Sequence, residues 1–579
     1  MTFEAVLTFP HALPVLLISF FVWATYHYTL KCGFVSDDHA GINEYDGKLQ
    51  GFEYGMLWRW ARYWVVGGNF PSQHKYPDGK VIPQGKLPVR HHFLSVLIFN
   101  LTCVTTYFAL VPILGQKISL MAVGILIVHP CSTQGVAWIS GLAYPLSLFW
   151  ISATVLLLQY FYAHSTLNNA IWVLPVFCLI QWLAIHAIFA TTGMLWALLL
   201  FLGYWQFAIL GFAISLVMCF DQVRKTVSFR VEEFKKQHME ASTVLNFGKP
   251  VVAMKTFWYY LCHAAAPVSM GLYHVWGFHY EKDLERRDGL FWKGFLFLCG
   301  VAFIFFNTDL AYLKLGILWF LIFSTGFWNW VTAQQFVTER YIFVANLGLG
   351  MVIAGLTQNH PWVYTLIFGI YLAKTWDYLP TYDNELRFYQ SNNWNFQKSE
   401  VAMGNLGVTY TRMGLEDTAK DTWMVATHLN PDYDVPWVNI FYQFRSKGFS
   451  LINNGDYISG LSKLKEGLPF LEKALQCKIC HFPEQWKKEY SELANAIRNP
   501  HLILQDELKR LLQLKENLRT RLSLSHSEKE ISDIKISVNN NEAQMKHLIE
   551  FFKSNNLPVT DPAPFNKYHT DQTLNNVTQ

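Results

Sequence analysis

Residues 13–38 read LPVLLISFFVWATYHYTLKCGFVSDD, an apolar run from Leu13 to Leu30 followed within a few residues by two adjacent carboxylates, Asp37 and Asp38. The run approaches the roughly 20 residues that carry a helix across a hydrocarbon core. No Lys or Arg precedes Lys31, and the run exceeds the core of a usual leader, so it predicts a permanent first span. Paired acids at such an exit are, in the plainest reading, a solvated turn. The rest of the chain has to say whether they do more.

The composition fits a membrane protein. Of 579 residues, 52% are hydrophobic and only 15% charged, against about 25% charged for a soluble domain. The net charge of +4 comes from scattered residues of both signs, with no basic stripe, which removes nucleic acid as a partner. Seven of the nine cysteines, Cys32 to Cys299, stand singly in or beside apolar segments, where the default role is a small soft hydrophobe. Cys477, Cys480 and His481 form a lone CxxC-H without a second pair, a weak signal for zinc. No cofactor is required by the sequence, although room remains for a divalent metal.

Apolar stretches near 10–31, 91–113, 118–131, 136–162, 169–187, 193–220, 256–276, 290–308, 311–330, 342–357 and 361–379 predict about eleven spans. Arg224, Lys225, Arg230, Lys235 and Lys236 after the sixth of these favour the cytoplasmic side. The N-terminus is then inside, and the 32–90 loop, the TERY stretch (338–341) and everything after about 380 face outward. Trp58, Trp60, Tyr63 and Trp64 predict that the long 32–90 loop packs at the interface. Pro250 and Pro267 interrupt an aromatic stretch and suggest a re-entrant or interfacial element before EKDLERRDG (281–289).

After 380 the composition becomes that of a soluble helical domain. Leu406, Gly407, Tyr410, Ala419, Trp423, Ala426 and Pro431 fall at the spacing of a tetratricopeptide repeat, in which small residues let two helices approach and large ones fill the groove. A looser second unit spans 434–476, with Trp437 and GLPFLEKALQ. Leu504, Leu508, Leu511, Leu518 and Leu522, with Lys515 at the missing seam position, predict a helical hairpin or short coiled coil, and SHSE (525–528) a cap for its next helix. The expected organisation is a membrane domain over 1–379, a repeat-like helical domain over 380–476, a helical extension over 477–555 and a disordered tail over 556–579.

Three further polar stretches fall at expected outer ends of spans: RHH (90–92), HPCSTQGVAWISG (129–141) and VTERYIFVANLG (337–348). Each alone could be a snorkelling anchor. Four clusters converging on one compartment look instead like an active site assembled from helix ends.

Taken together, FVSDDHAGI, RHH, HPCSTQGVAWISG, ERYIFVANLG and the C-terminal repeat resemble the transmembrane and tetratricopeptide-repeat-containing protein O-mannosyltransferases, within the GT-C class of polyprenyl-phosphate-sugar glycosyltransferases. The resemblance covers roughly residues 10 to 433 and rests on the order of the motifs. It implies an α-helical multi-pass enzyme that inverts the sugar as it moves a hexose such as mannose from a polyprenyl-phosphate carrier to a hydroxyl, on protein Ser/Thr or another glycan. It also implies that the acidic pair holds the catalytic base, with Asp38 slightly favoured over Asp37. Physically, a hydroxyl acceptor must lose its proton as it attacks the anomeric carbon, and a carboxylate can take it. The phosphate's growing charge needs donors, for which Arg340 is the first candidate and His91, His92 and His129 are secondary. Arg340 has the alternative of being the ion-pair partner of Glu339; Glu339, Tyr341 and Arg90 are expected to support the site.

The chain departs from the pattern HPxxTEAVxWIxGRxD at Gln134, Leu142 and Tyr144, which leaves open an altered pocket or lost catalysis. The competing reading is a non-catalytic membrane scaffold that recruits proteins through its repeats; a transporter would show paired, broken mid-membrane helices that the sequence lacks. Expected partners are the lipid-linked donor, an acceptor protein or glycan, and membrane lipids. The expected setting is a bacterial inner membrane or the endoplasmic reticulum, with the C-terminal domain periplasmic or lumenal; the short repeat array and the absence of a retention signal tilt towards bacteria.

Overall fold

The computed structural model describes residues 9–38, 56–67, 73–75, 81–83, 87–163, 167–236, 250–268, 270–271, 287–328, 338–395, 400–477, 480, 482–524 and 528–554. The side chains of Lys225, Arg230, Lys235 and Lys236, the 281–286 charges, His481, the cap residues 525–527 and the tail lie outside them. The chain forms two compact units, Met1–Val231 with Ala241–Ser399, and Glu400–Gln579 with Glu232–Glu240. The division falls at 399/400, later than the composition shift near 380, because the helix Glu385–Asn395 belongs to the first unit.

The longer described helices of the first unit are α1 (Phe9–Tyr26, continued by a 3-10 turn to Lys31), α2 (Met56–Val65), α3 (Pro88–Val128), α4 (Ala143–Ala163), α5 (Leu167–Ala187), α6 (Leu195–Phe201), α7 (Trp205–Lys236, of which 232–236 fall in the second unit), α8 (Pro250–Ala265), α9 (Gly289–Asn307), α10 (Ala311–Thr325), α11 (Asn346–Thr357), α12 (Pro361–Tyr378) and α13 (Glu385–Asn395). A small antiparallel pair, Gln73–Lys75 with Val81–Pro83, lies between α2 and α3. Four helical segments are long and apolar enough to cross a membrane: His11–Lys31, Pro88–Val128, Ile139–Ala163 and Gly289–Asn307. Five shorter apolar helices lie at 172–187, 190–201, 205–220, 311–325 and 346–357. Pro250 and Pro267 do not interrupt a helix; they bound α8, since Pro fits a first turn, where its missing N–H costs nothing.

α3 is a hairpin. Gly115 leaves the helical region with φ 78° and ψ 163°, a conformation open to glycine because it lacks Cβ. Tyr26 consequently reaches both arms: its ring packs on Phe99 at 5.5 Å and its hydroxyl donates to the Ile127 carbonyl at 3.1 Å. The carbonyls at the end of the second arm have no partner within the helix. Neighbouring helices supply donors, with Thr375 of α12 donating to Val128 O at 2.7 Å.

α11 packs with its backbone against both neighbours. A Cβ on Gly348 would lie 2.4 Å from Gly316 O of α10, and one on Gly350 would lie 2.7 Å from Ala122 O of α3. Small residues are the usual means of such close approach between membrane helices. Trp319 of α10 donates to Val344 O at 2.8 Å, just ahead of α11. These contacts fix the start of α11, and with it the ERY turn.

The second unit is built from helix pairs: α14 (Glu400–Arg412) with α15 (Glu416–Leu429), α16 (Asp434–Asn453) with α17 (Tyr457–Gln476), then α18 (Pro483–Arg498) and the pair α19 (Pro500–Leu524) and α20 (Glu528–Ser554). Gly407 lies against Trp423, whose indole N–H donates to Gly404 O at 2.9 Å, over buried Ala419 and Ala426. In the α19–α20 hairpin Leu511 and Leu518 are buried, and Lys515, the residue that breaks the leucine series, pairs with Glu542 at 2.7 Å.

Candidate functional site

Val35 to Asp38 form a β-turn, closed by the Asp38 N–H donating to Val35 O at 3.1 Å. Ser36, its first central residue, has φ +52°, a left-handed conformation that is uncommon for a residue with a side chain. The two acids leave this turn in different environments. Asp37 is exposed, while Asp38 is fully buried.

Asp38 Oδ1 accepts from Ser140 N at 2.8 Å and from Ser140 Oγ at 2.6 Å, and Oδ2 accepts from Val35 N at 3.3 Å. Burial pushes its pKa up to about 6, opposed by these donors and by the charge of Arg62. The indole of Trp138 donates to Val35 O at 3.3 Å, so the acidic turn and the 138–140 segment are joined at three points. Asp38, the acid slightly favoured from sequence as the base, is thus tied into the fold by three donors. The acid left facing outward is Asp37.

Arg340 follows from the other side. Its guanidinium lies 4.6 Å from the Trp138 ring centroid and 5.3 Å from that of Tyr341, within the range of cation–π attraction. Burial disfavours its charge, but Tyr144, Tyr341 and Asp37 together outweigh that and hold Arg340 firmly cationic. Tyr341 is held flat by stacking on Phe327 at 4.5 Å. Arg340, Tyr144 and Tyr341 therefore form one polar and aromatic group, on which the charge of Asp37 acts.

Gln134 organises the ERY turn. Its amide oxygen accepts from Thr338 Oγ1 at 2.9 Å and from Arg340 N at 3.2 Å, and its amide nitrogen donates to Gly271 O at 3.0 Å and to the Glu339 carboxylate. Glu339, almost fully buried, also accepts from Gly271 N at 2.7 Å. An amide can donate and accept at once, which a carboxylate here could not. Gly141 packs on this segment so closely that a Cβ would lie 2.1 Å from Gln134 O. The other departures also have places: Leu142 is buried in a cluster with Leu146, Ala187 and Trp58 of α2, and Tyr144 stands beside Arg340.

The histidines are not gathered at Arg340. His129 Nε2 donates to Ala264 O at 2.7 Å, and its Nδ1 accepts from Cys131 N at 3.2 Å and from Asn346 Nδ2 at 3.3 Å. Both ring nitrogens are occupied, so His129 is a brace between α3, α8 and α11 and has no N–H for a ligand's phosphate. His92 lies with Nε2 3.2 Å from Gly33 O, and His91 packs edge-on against Phe34 at 5.7 Å; both are buried and hold the chain that leads into the acidic turn. Arg90 Nη1 donates to Val66 O at 3.1 Å, which ties down the end of α2.

Two residues not singled out from sequence complete the site. Arg62 of α2 donates from Nη2 to Ile139 O at 2.8 Å and acts electrostatically on Asp38. Asp383 accepts from the Tyr28 hydroxyl at 3.0 Å and from Gly33 N through its backbone carbonyl at 2.9 Å, and pairs with Arg387, which clamps the stretch before the acidic turn. An arginine between tryptophans in WRWARYW was the available signal for the first. Among the described residues no group of three His, Cys, Asp or Glu side chains is placed to hold a metal ion. No protein-family model and no curated protein sequence matches the chain.

Proposed function

We propose that this chain is a GT-C type glycosyltransferase that moves a hexose from a polyprenyl-phosphate carrier to a hydroxyl acceptor, with protein Ser or Thr as the acceptor class. The observation that carries the reading is that Asp37 is exposed and its charge acts on Arg340, which lies over the Trp138 ring at the meeting point of several helix ends. In this reading Asp37 accepts the acceptor's hydroxyl proton as the oxygen bonds to the anomeric carbon. The bond from that carbon to the phosphate oxygen breaks on the opposite face, its electron pair passes to the phosphate, and Arg340 meets the growing charge. Attack opposite the leaving group inverts the sugar.

The reading takes the apolar helices as about eleven spans, and α14 to α17 as tetratricopeptide-like repeats that present the acceptor on the periplasmic or lumenal side. O-mannosylation is the form the resemblance favours. The test is mass spectrometry of envelope or lumenal proteins from cells with and without the gene. A hexose-sized mass on Ser or Thr that disappears with the gene supports the reading; unchanged glycosylation, with partner proteins lost from the membrane, would favour the scaffold.

A further inference from the structure

We infer that Arg62 is a second anion-binding residue of this site, one that contacts the phosphate of the lipid-linked donor; the inference rests on the glycosyltransferase reading. α2 carries it to the site by packing: Trp58 of the same helix joins the Leu142 cluster and stacks near Trp150 at 5.9 Å, and Arg90 holds the helix end through Val66. One turn along from Trp58, Arg62 reaches the Ile139 carbonyl at 2.8 Å. Arg340 lies on the ring of Trp138, the residue before Ile139. Two guanidinium groups from distant parts of the chain thus flank one short segment, each acting on a different acid of the pair, Arg340 on Asp37 and Arg62 on Asp38.

The bonds of Arg62 are incomplete. A guanidinium has five N–H donors in a fixed fork, and the Nε of Arg62 is buried with no acceptor among the described residues. A buried, unmatched cationic donor is costly and is a position where a ligand is expected. The local charge points the same way. Arg59, one turn back on α2, adds a second positive charge against Arg62, while Asp38 is already engaged by Ser140 and Val35. Among the described residues Arg62 and Arg59 face the single acid Asp38 here, and a phosphate would offset the remaining positive charge and match the fork.

The experiment measures, by native mass spectrometry of the full chain in lipid nanodiscs, the affinity for a polyprenyl phosphate and for the uncharged polyprenol of the same length. The wild type should prefer the phosphate, and Arg62→Gln should lose that preference by roughly ten- to hundredfold, the scale of one charge-assisted hydrogen bond, with polyprenol affinity unchanged as the check on folding. Arg62→Lys should recover part of it. An equal loss for both lipids, or full preference retained in Arg62→Gln, would overturn the role of Arg62 and leave the glycosyltransferase reading standing. A wild type that binds both lipids alike would overturn the reading itself, and the inference with it.

Discussion

Ser140 holds Asp38 with two hydrogen bonds, from its backbone N–H at 2.8 Å and its hydroxyl at 2.6 Å. The stretch after the first helix and the stretch ahead of α4 are fastened together through a buried carboxylate. Its neighbour Asp37 is exposed, and its charge acts on Arg340. Of two adjacent acids, one is tied into the fold and the other is exposed.

The fastening has a pH signature. Asp38 is raised by burial to about 6 in the folded protein from an ordinary value of 3.8. The folded state therefore binds this proton more tightly than the unfolded chain does. Its stabilising contribution is fully present below about pH 4 and is lost as pH rises through about 6. Thermal unfolding in detergent between pH 4.5 and 7 should show this slope in the wild type and a flatter profile in Asp38→Asn. An identical slope in both proteins would show that Asp38 does not titrate in this range.

Removing the hydroxyl alone is a milder change. Ser140→Ala keeps the backbone donor and deletes the 2.6 Å bond, so it should cost about 1–3 kcal/mol. Limited proteolysis should then cut more readily within residues 32–90. Unchanged cleavage would separate the acidic turn from the stability of that loop.

Gln134 supports the ERY turn from within. Gln134→Leu keeps most of the volume but strips a donor from buried Glu339 and an acceptor from Thr338 and Arg340, at a cost on the order of 3 kcal/mol. Gly141→Ala should be as damaging, because its Cβ meets backbone rather than a movable side chain. Melting temperature and yield of folded protein in detergent check both; wild-type behaviour of either variant would contradict the packing described.

In the second unit, Gly407→Ala puts a methyl group 2.2 Å from the Trp423 ring, which is itself tied to Gly404 O. Overpacking of this kind costs about 1–3 kcal/mol. The fragment beginning near residue 400 should become more sensitive to trypsin, and a variant as resistant as the wild type would mean that the α14–α15 pair can spread at no cost.

Much of this was legible in the residues. Seven small and large residues in register marked the α14–α15 pair, and the leucine series marked the α19–α20 hairpin, because side-chain size at fixed spacing decides how helices meet. The convergence of FVSDD, HPCSTQGVAWISG and ERY was readable from their order. What side chains face was not. The choice between Asp37 and Asp38 depends on a left-handed Ser36, which its residue type does not announce. His129 has the residue type of a ligand, yet two of its three partners, Ala264 and Asn346, come from remote segments. Arg62 lies in an aromatic stretch whose evident meaning is interfacial packing, and the five partners that give Gln134 its place come from other parts of the chain.

The central claim is that Asp37 acts as base beside Arg340, with Asp38 as support. The most direct measurement is the rate of hexose transfer from a polyprenyl-phosphate hexose to a Ser/Thr acceptor peptide by the full chain in nanodiscs, with folding of each variant verified. Asp37→Asn should lower turnover by roughly 10²–10⁴-fold, the range for loss of a general base, with donor affinity kept. Folded Asp38→Asn should lose much less, and Arg340→Ala should lose donor affinity as well as rate. Wild-type turnover in Asp37→Asn, with the large loss falling on Asp38→Asn instead, would contradict the assignment.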